Sequence, residues 1–325
     1  MANVSTARKA SYALLALALW AAVRFHLGTA LLAALFAHMI LDRADAALRG
    51  SGAPPFVARW GAVALFAVVG SLLAFVFASF FRIGLARLPA LLDRVLPRLS
   101  ELASNLGLDV ALSSPQDLRA LILQSAKDNV RAITATSGLL TRGFFQIVVA
   151  VFVVLLRYLT VPPPRAARGA EGDLLRECGA RVALFSASFE RVMGAQVAIA
   201  AINALATAAF LFAVGLPFRT ALILTTFVCG LVPIVGNVIS NALIVAAALV
   251  VSNRMAVFAL AFLVLIHKAE YFLNSRLVGA RIELPMWATL AALLVGEATM
   301  GVTGVILAPT LLYYVREELR SLPAA

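Results

Sequence analysis

A chain of 325 residues that is 62% hydrophobic and 13% charged, with a mean hydropathy of +0.97, is too apolar for a soluble domain of its size, and its two cysteines exclude a disulfide framework or a cysteine metal cluster. The net charge of +11 would point to nucleic acid in a soluble protein. Here Lys and Arg sit mainly in loops beside apolar runs, where membrane topology and anionic lipid account for them, so composition makes the lipid bilayer the partner and not nucleic acid.

At the N-terminus Arg8 and Lys9 precede an apolar run from Ser11 to Val23, and a second run, Leu27 to Leu41, follows after only Arg24, Phe25 and His26. Two runs so close together predict a helical hairpin kept in the mature chain, not a cleaved signal peptide, although each arm is short for a full span. A charged loop with Asp42, Arg43, Asp45, Arg49 and Arg59 comes next, and a span from Trp60 to Phe81 completes the first region, residues 1–81.

Residues 82–142 change character. Leu85, Leu88, Leu92, Val95 and Leu99 keep helical spacing against Arg87, Asp93, Arg94 and Arg98, which predicts an amphipathic helix. Ser114, Pro115, Gln116 and Asp117 supply a start for a second one. The membrane interface, the transmembrane bundle and another subunit are all open as burial partners for this insert, and a homo-oligomer is expected.

Residues 143–193 read as a fourth span, Phe144 to Thr160, followed by three prolines and a charged cytoplasmic loop. Gly194 to Val214 is a further span rich in Gly and Ala, which permit close helix packing. Gln196 and Asn203, seven residues apart, share a face of it and suit interhelical hydrogen bonding or contact with a solute.

Two later stretches, Pro217 to Val251 and Pro285 to Val315, are almost wholly apolar yet broken near the middle. The first breaks at Gly230, Pro233, Gly236 and Asn237, the second at Gly296, Glu297, Gly301, Thr303 and Gly304. A bilayer core of about 30 Å needs roughly 20 helical residues, so each stretch is too long for one helix and each half too short. The pattern predicts two half-helices per stretch, meeting as a re-entrant pair whose unwound backbone faces protein or water. One span, Val257 to Phe272, separates them, so the two pairs are expected to open to opposite sides with tips near the midplane. Residues 194–325 then form a transport core of two inverted span-plus-hairpin units. The predicted fold class is all-α, a polytopic transmembrane helical protein with discontinuous helices in its C-terminal half and an amphipathic helical insert. Placing the N-terminus in the cytoplasm puts most Arg inside and leaves Arg24, Arg219 and Arg254 in short outer loops, with residues 82–142 outside.

Glu297 is a carboxylate in mid-stretch, which costs several kcal/mol unless paired, protonated or wet, and so is a candidate for proton or cation coupling or for satisfying unwound backbone. Pro233, Gly236, Asn237 and Asn241 at the first tip, and Gly301, Thr303 and Gly304 at the second, are candidates for solute binding. His267, Lys268, Glu270 and Asn274 cluster at the end of the intervening span, where His267 and Glu270, and Glu270 and Asn274, are at helical pairing distance. Asn203, Asn274 and Pro309 are candidates for gating or packing. No GxxxxGK[ST], HExxH or GxSxG is present, so no enzymatic activity, cofactor or metal is expected, and transport would be ion-coupled or passive.

The run HKAEYFLNSRLVG from His267, the run LPMWATLAALLVGEATMGVTGVILAPTLLYYVREEL from Leu284 and the LVPIVGN element together resemble the autoinducer-2 exporter-like family of permeases. The resemblance implies a multi-pass transporter of the bacterial inner membrane, with members linked to autoinducer-2 export and others to sodium or lithium exchange for protons. It places the family's Pro-x-x-Gly element on Pro233 and Gly236, its acidic residue on Glu270, and its Gly-rich final segment on Gly301, Gly304 and Pro309. The chain departs from many members in reading Tyr271 and Phe272 after Glu270, and Ser275 in place of Pro.

Overall fold

The computed structural model describes residues 6–105, 124, 137–160, 169–233, 235–277 and 285–321. Among them are eleven α-helices and no strand, as the composition predicts. In chain order they are α1 (Thr6–Arg24), α2 (Gly28–Gly50), α3 (Pro55–Ser79), α4 (Ala86–Asn105), α5 (Ser137–Leu159), α6 (Gly169–Ala213), α7 (Arg219–Gly230), α8 (Val235–Val251), α9 (Asn253–Leu277), α10 (Met286–Met300) and α11 (Val302–Arg320). A π-helical turn, Phe80–Leu85, joins α3 to α4. By length and composition three of these helices can cross a membrane: α3, α5 from Thr141, and α6. The apolar helices at 219–230, 236–251 and 287–300 are shorter, as a pair of broken stretches requires.

The chain forms two compact units, one from residues 1–71, 141–194 and 280–325 and the other from residues 72–140 and 195–279. The first broken stretch falls in the second of these units and the second broken stretch in the first.

In the first unit several helices run beyond their apolar cores. The segment from Asp42 to Gly50, expected as loop, is the second half of α2. His38 approaches Asp42 at 3.4 Å and Arg49 donates to Asp45 at 2.6 Å, each one turn apart, so charged residues that resemble a loop in composition support a helix in spacing. The same correction applies to the charged loop expected up to residue 193. From Gly169 onward it is helical and continuous with the following span, giving an α6 of 45 residues stapled by Arg176 to Asp173 and Arg181 to Glu177, both at 2.9 Å.

The core of this unit gathers Leu35, Phe185, Phe189, Met193, Leu307 and Tyr314, with Phe36 edge-on to Phe189 and Phe185 edge-on to Tyr314. At one end Glu318 accepts from Tyr12 Oη at 2.6 Å and from Arg8 at 3.3 Å, and lies 3.2 Å from Arg181 Nε. Both Glu318 and Arg181 are buried, 7% and 6% exposed.

The second broken stretch folds back sharply at Gly301, whose φ of 61° and ψ of −141° suit only glycine. Its arms then touch where Gly296 and Gly304 face each other, with no room for a Cβ on either. Thr303 packs against Gly28 at the start of α2, while Glu318 meets Arg8 near the start of α1. The second arm therefore runs the full height of the α1–α2 hairpin and is not a half-height helix. It gains that length by continuing past Val315 through Arg316 to Arg320, where Arg320 donates to Glu317.

In the second unit α4 lays Leu91 and Val95 onto a core with Leu211, Leu222, Ile244, Ala247, Ala248 and Leu263. Of the three partners open to the amphipathic insert, this part of it takes the helical bundle, and it covers the first broken stretch. The start of a second insert helix at Ser114 to Asp117 lies outside the described residues. Between apolar helices in lipid, adhesion comes from close packing, which the fully buried Ala247, Ala248 and Ala259 provide.

Candidate functional site

The first broken stretch ends α7 at Gly230, turns through Leu231 to Pro233 and resumes as α8. Twelve residues of α7 rise about 18 Å, well short of a bilayer core. Gly236 presses so closely on the Cys229 carbonyl that no Cβ fits, and this folds α8 back along α7. The carbonyl of Gly230, left without a helical partner by the break, accepts from Gln196 Nε2 at 2.6 Å. Gly230 itself rests on Ala200. One face of α6, Gln196, Ala200 and Asn203, thus supports the break.

On the neighbouring α9 stands Glu270, its side chain 13% exposed. Asn237 in the first turn of α8 donates Nδ2 to Oε1 at 3.0 Å and to Oε2 at 3.3 Å. The buried Asn203 donates Nδ2 to Oε2 at 3.3 Å. His267, one turn earlier on α9, brings Nδ1 to 3.8 Å from Oε2, with its own ring 75% exposed. No Lys or Arg pairs with Glu270 among the described residues. The positive end of the α8 dipole adds a favourable field at the carboxylate.

This donor set has a specific capability. A guanidinium or ammonium fixes a carboxylate in its charged form, whereas an asparagine amide can turn to present either Nδ2 or Oδ1. Two such amides both donate to an ionised carboxylate, one of them can turn its Oδ1 to accept the single O–H of a protonated one while the other still donates, and both can turn to give a bound cation oxygen ligands. Among the described residues no group of three or more His, Cys, Asp and Glu has metal-binding spacing.

Asn203, Asn237 and Glu270 are therefore brought together, and Pro233 and Gly236 build the bend that does it. Asn241 points elsewhere, into an open cleft of about 890 Å³ between α4, α8 and α9, whose lining is apolar apart from Asn241, His267 and Lys268. Asn274 lies on α9, its side chain outside the described residues. Glu297 belongs to the other unit; its side chain is exposed, with no hydrogen bond or ion pair among the described residues. Gly301 is the turn and Gly304 the close contact of the second pair, Thr303 donates to the Met300 carbonyl at 2.8 Å, and Pro309 is half-buried within α11. Sequence reasoning missed the burial of Arg181 and Glu318. The available signal was a glutamate one turn beyond Tyr314, at the end of an apolar stretch.

Residues 10–323, nearly the whole chain, match the model of a family described as AI-2E family transporter. Over 125 residues the chain is 33% identical to a protein of Bacillus subtilis (strain 168) described as "Putative transport protein YdbI". That match covers 38% of this chain and 36% of the relative, so it spans about a third of each.

Proposed function

Since the chain belongs to the AI-2E family of transporters and is a multi-pass membrane protein, we propose that it is an ion-coupled secondary transporter of the bacterial inner membrane with Glu270 as its coupling carboxylate. The observation that carries this reading is a largely buried carboxylate held by two neutral amides instead of a cation. No Lys or Arg among the described residues neutralises it.

The amides also tie that charge to the fold. Asn203 belongs to α6 and Asn237 to the break between α7 and α8, so taking up or losing an ion at Glu270 alters the hydrogen bonds that seat the break against α6 and α9. Alternating access then consists of the broken pair moving between two seatings, each favoured by one state of Glu270. The solute is small and polar or amphipathic, and export is the direction this reading takes. Glu297, exposed on α10, has no coupling role in it.

A second reading, sodium–proton exchange, is favoured by the same donor set. With both amides turned, Glu270 and two Oδ1 atoms offer a cation the all-oxygen environment that hard ions prefer. Proteoliposomes test both. Wild-type protein should move protons when an autoinducer-2 gradient or a sodium gradient is imposed, and Glu270→Gln should not. Wild-type liposomes that behave like empty ones under either gradient would point to a scaffold instead of a transporter.

A further inference from the structure

Away from Glu270, where the π-helical turn follows α3, the second unit brings three arginines to one cavity. Arg82 on the π-helical turn, Arg87 on α4 and Arg219 at the first position of α7 all line one cavity of about 470 Å³, together with Phe218 and Thr220. None of the three arginines has a carboxylate partner among the described residues. Like charges converging on a concave surface carry a mutual repulsion, which solvent screens in part for these exposed side chains. An anion removes it.

One further feature favours the same ligand. Phe218 precedes α7 in the left-handed conformation, φ 60°, and no side chain caps the helix, so the N–H groups of its first turn are open to the cavity end where Arg219 and Thr220 lie. Phe218 is braced by Arg94, whose guanidinium sits 5.7 Å from the ring centroid.

We propose that Arg82, Arg87 and Arg219 form a binding site for a phosphate group, with the open N-terminus of α7 as its fourth wall. Guanidinium forks match phosphate oxygens two at a time, and the three come from three different elements, so a bound phosphate staples the π-helical turn and α4 to the entrance of the first broken pair. The phosphate is that of an anionic lipid headgroup or of a soluble phosphate compound, both of which present the same oxygens.

Calorimetric titration of the full-length protein in a non-ionic detergent separates these sources. One arm adds sodium phosphate against a sodium chloride control of equal ionic strength; the other adds short-chain phosphatidylglycerol against short-chain phosphatidylcholine. Saturable binding of phosphate in the first arm identifies a soluble-anion site, and saturable binding of phosphatidylglycerol alone identifies a headgroup site. Arg87→Gln and Arg219→Gln should each weaken that binding about tenfold, the loss of one charge-assisted contact, while Arg87→Lys weakens it less and Arg254→Gln leaves it unchanged. Each variant is first checked for a monodisperse elution peak, and the Lys variant covers the case in which a Gln variant does not fold. No saturable binding in either arm, or equal binding by wild type and both Gln variants, overturns the site.

Discussion

The amide of Asn237 donates to both carboxylate oxygens of Glu270, at 3.0 and 3.3 Å, and so joins the first turn after a helix break to a carboxylate on the next helix. The bond would hold in a rigid structural role as well as in a moving one. What separates the two is how function and stability respond to different substitutions on its two sides.

Asn237→Ala removes a hydrogen bond to a carboxylate, worth roughly 1.5–3 kcal/mol, and should lower the thermal unfolding temperature in detergent by several degrees. Glu270→Gln keeps an acceptor and adds a donor, so Asn237 and Asn203 can still pair with it. That variant should unfold within about two degrees of wild type while losing ion-driven flux. A Glu270→Gln protein that unfolds as early as Asn237→Ala would assign the carboxylate to architecture.

Glu297→Gln should transport like wild type. Its side chain is exposed on α10 with no hydrogen bond or ion pair among the described residues, so losing its charge disturbs no partner. Flux through proteoliposomes decides, and a tenfold loss in this variant would return coupling to the second broken pair.

Gly304→Ala places a methyl group on the Gly296 carbonyl where α10 and α11 touch. Overpacking against backbone should cost about 2–3 kcal/mol and be visible as a lower unfolding temperature. Gly70→Ala is the matched control: nothing lies within 4 Å of its added Cβ, and the helix interior of α3 should gain about 0.5–1 kcal/mol.

Glu318→Gln leaves Arg181 with Glu177 as its remaining carboxylate and weakens the tie from α11 to Arg8 and Tyr12. Because Glu177 still pairs with Arg181, the loss is below the roughly 3 kcal/mol of an unpaired buried charge, yet this variant should unfold earlier than wild type by more than Arg43→Gln does. Arg43 pairs with Glu190 at 2.6 Å, but its side chain is 58% exposed and the bond is screened by solvent. Equal losses in the two variants would contradict the difference in burial.

The broken stretches were legible in the sequence because Gly, Pro and Asn interrupt runs that are otherwise continuous Leu, Val, Ile and Ala. Breaks have a composition. The extended helices were not, because Asp45 with Arg49 and Glu177 with Arg181 look like loop residues until their one-turn spacing is weighed above their charge. The two carboxylates show the deeper limit. Glu297 stands out in an apolar run, but the direction its helix face turns is decided by packing. Glu270 lies beside His267 and Lys268 and resembles a solvated helix end; only the fold brings Asn203, 67 positions earlier, to its side. Arg82, Arg87 and Arg219 converge in the same way, from segments that the chain separates by more than a hundred residues.

Coupling through Glu270 is tested most directly by separating carriage from drive in one variant. Proteoliposomes containing Glu270→Gln should still exchange labelled autoinducer-2 against the same species on the other side. They should no longer accumulate it when a proton gradient is imposed, whereas wild type does both. Accumulation by the variant at the wild-type rate would contradict the account.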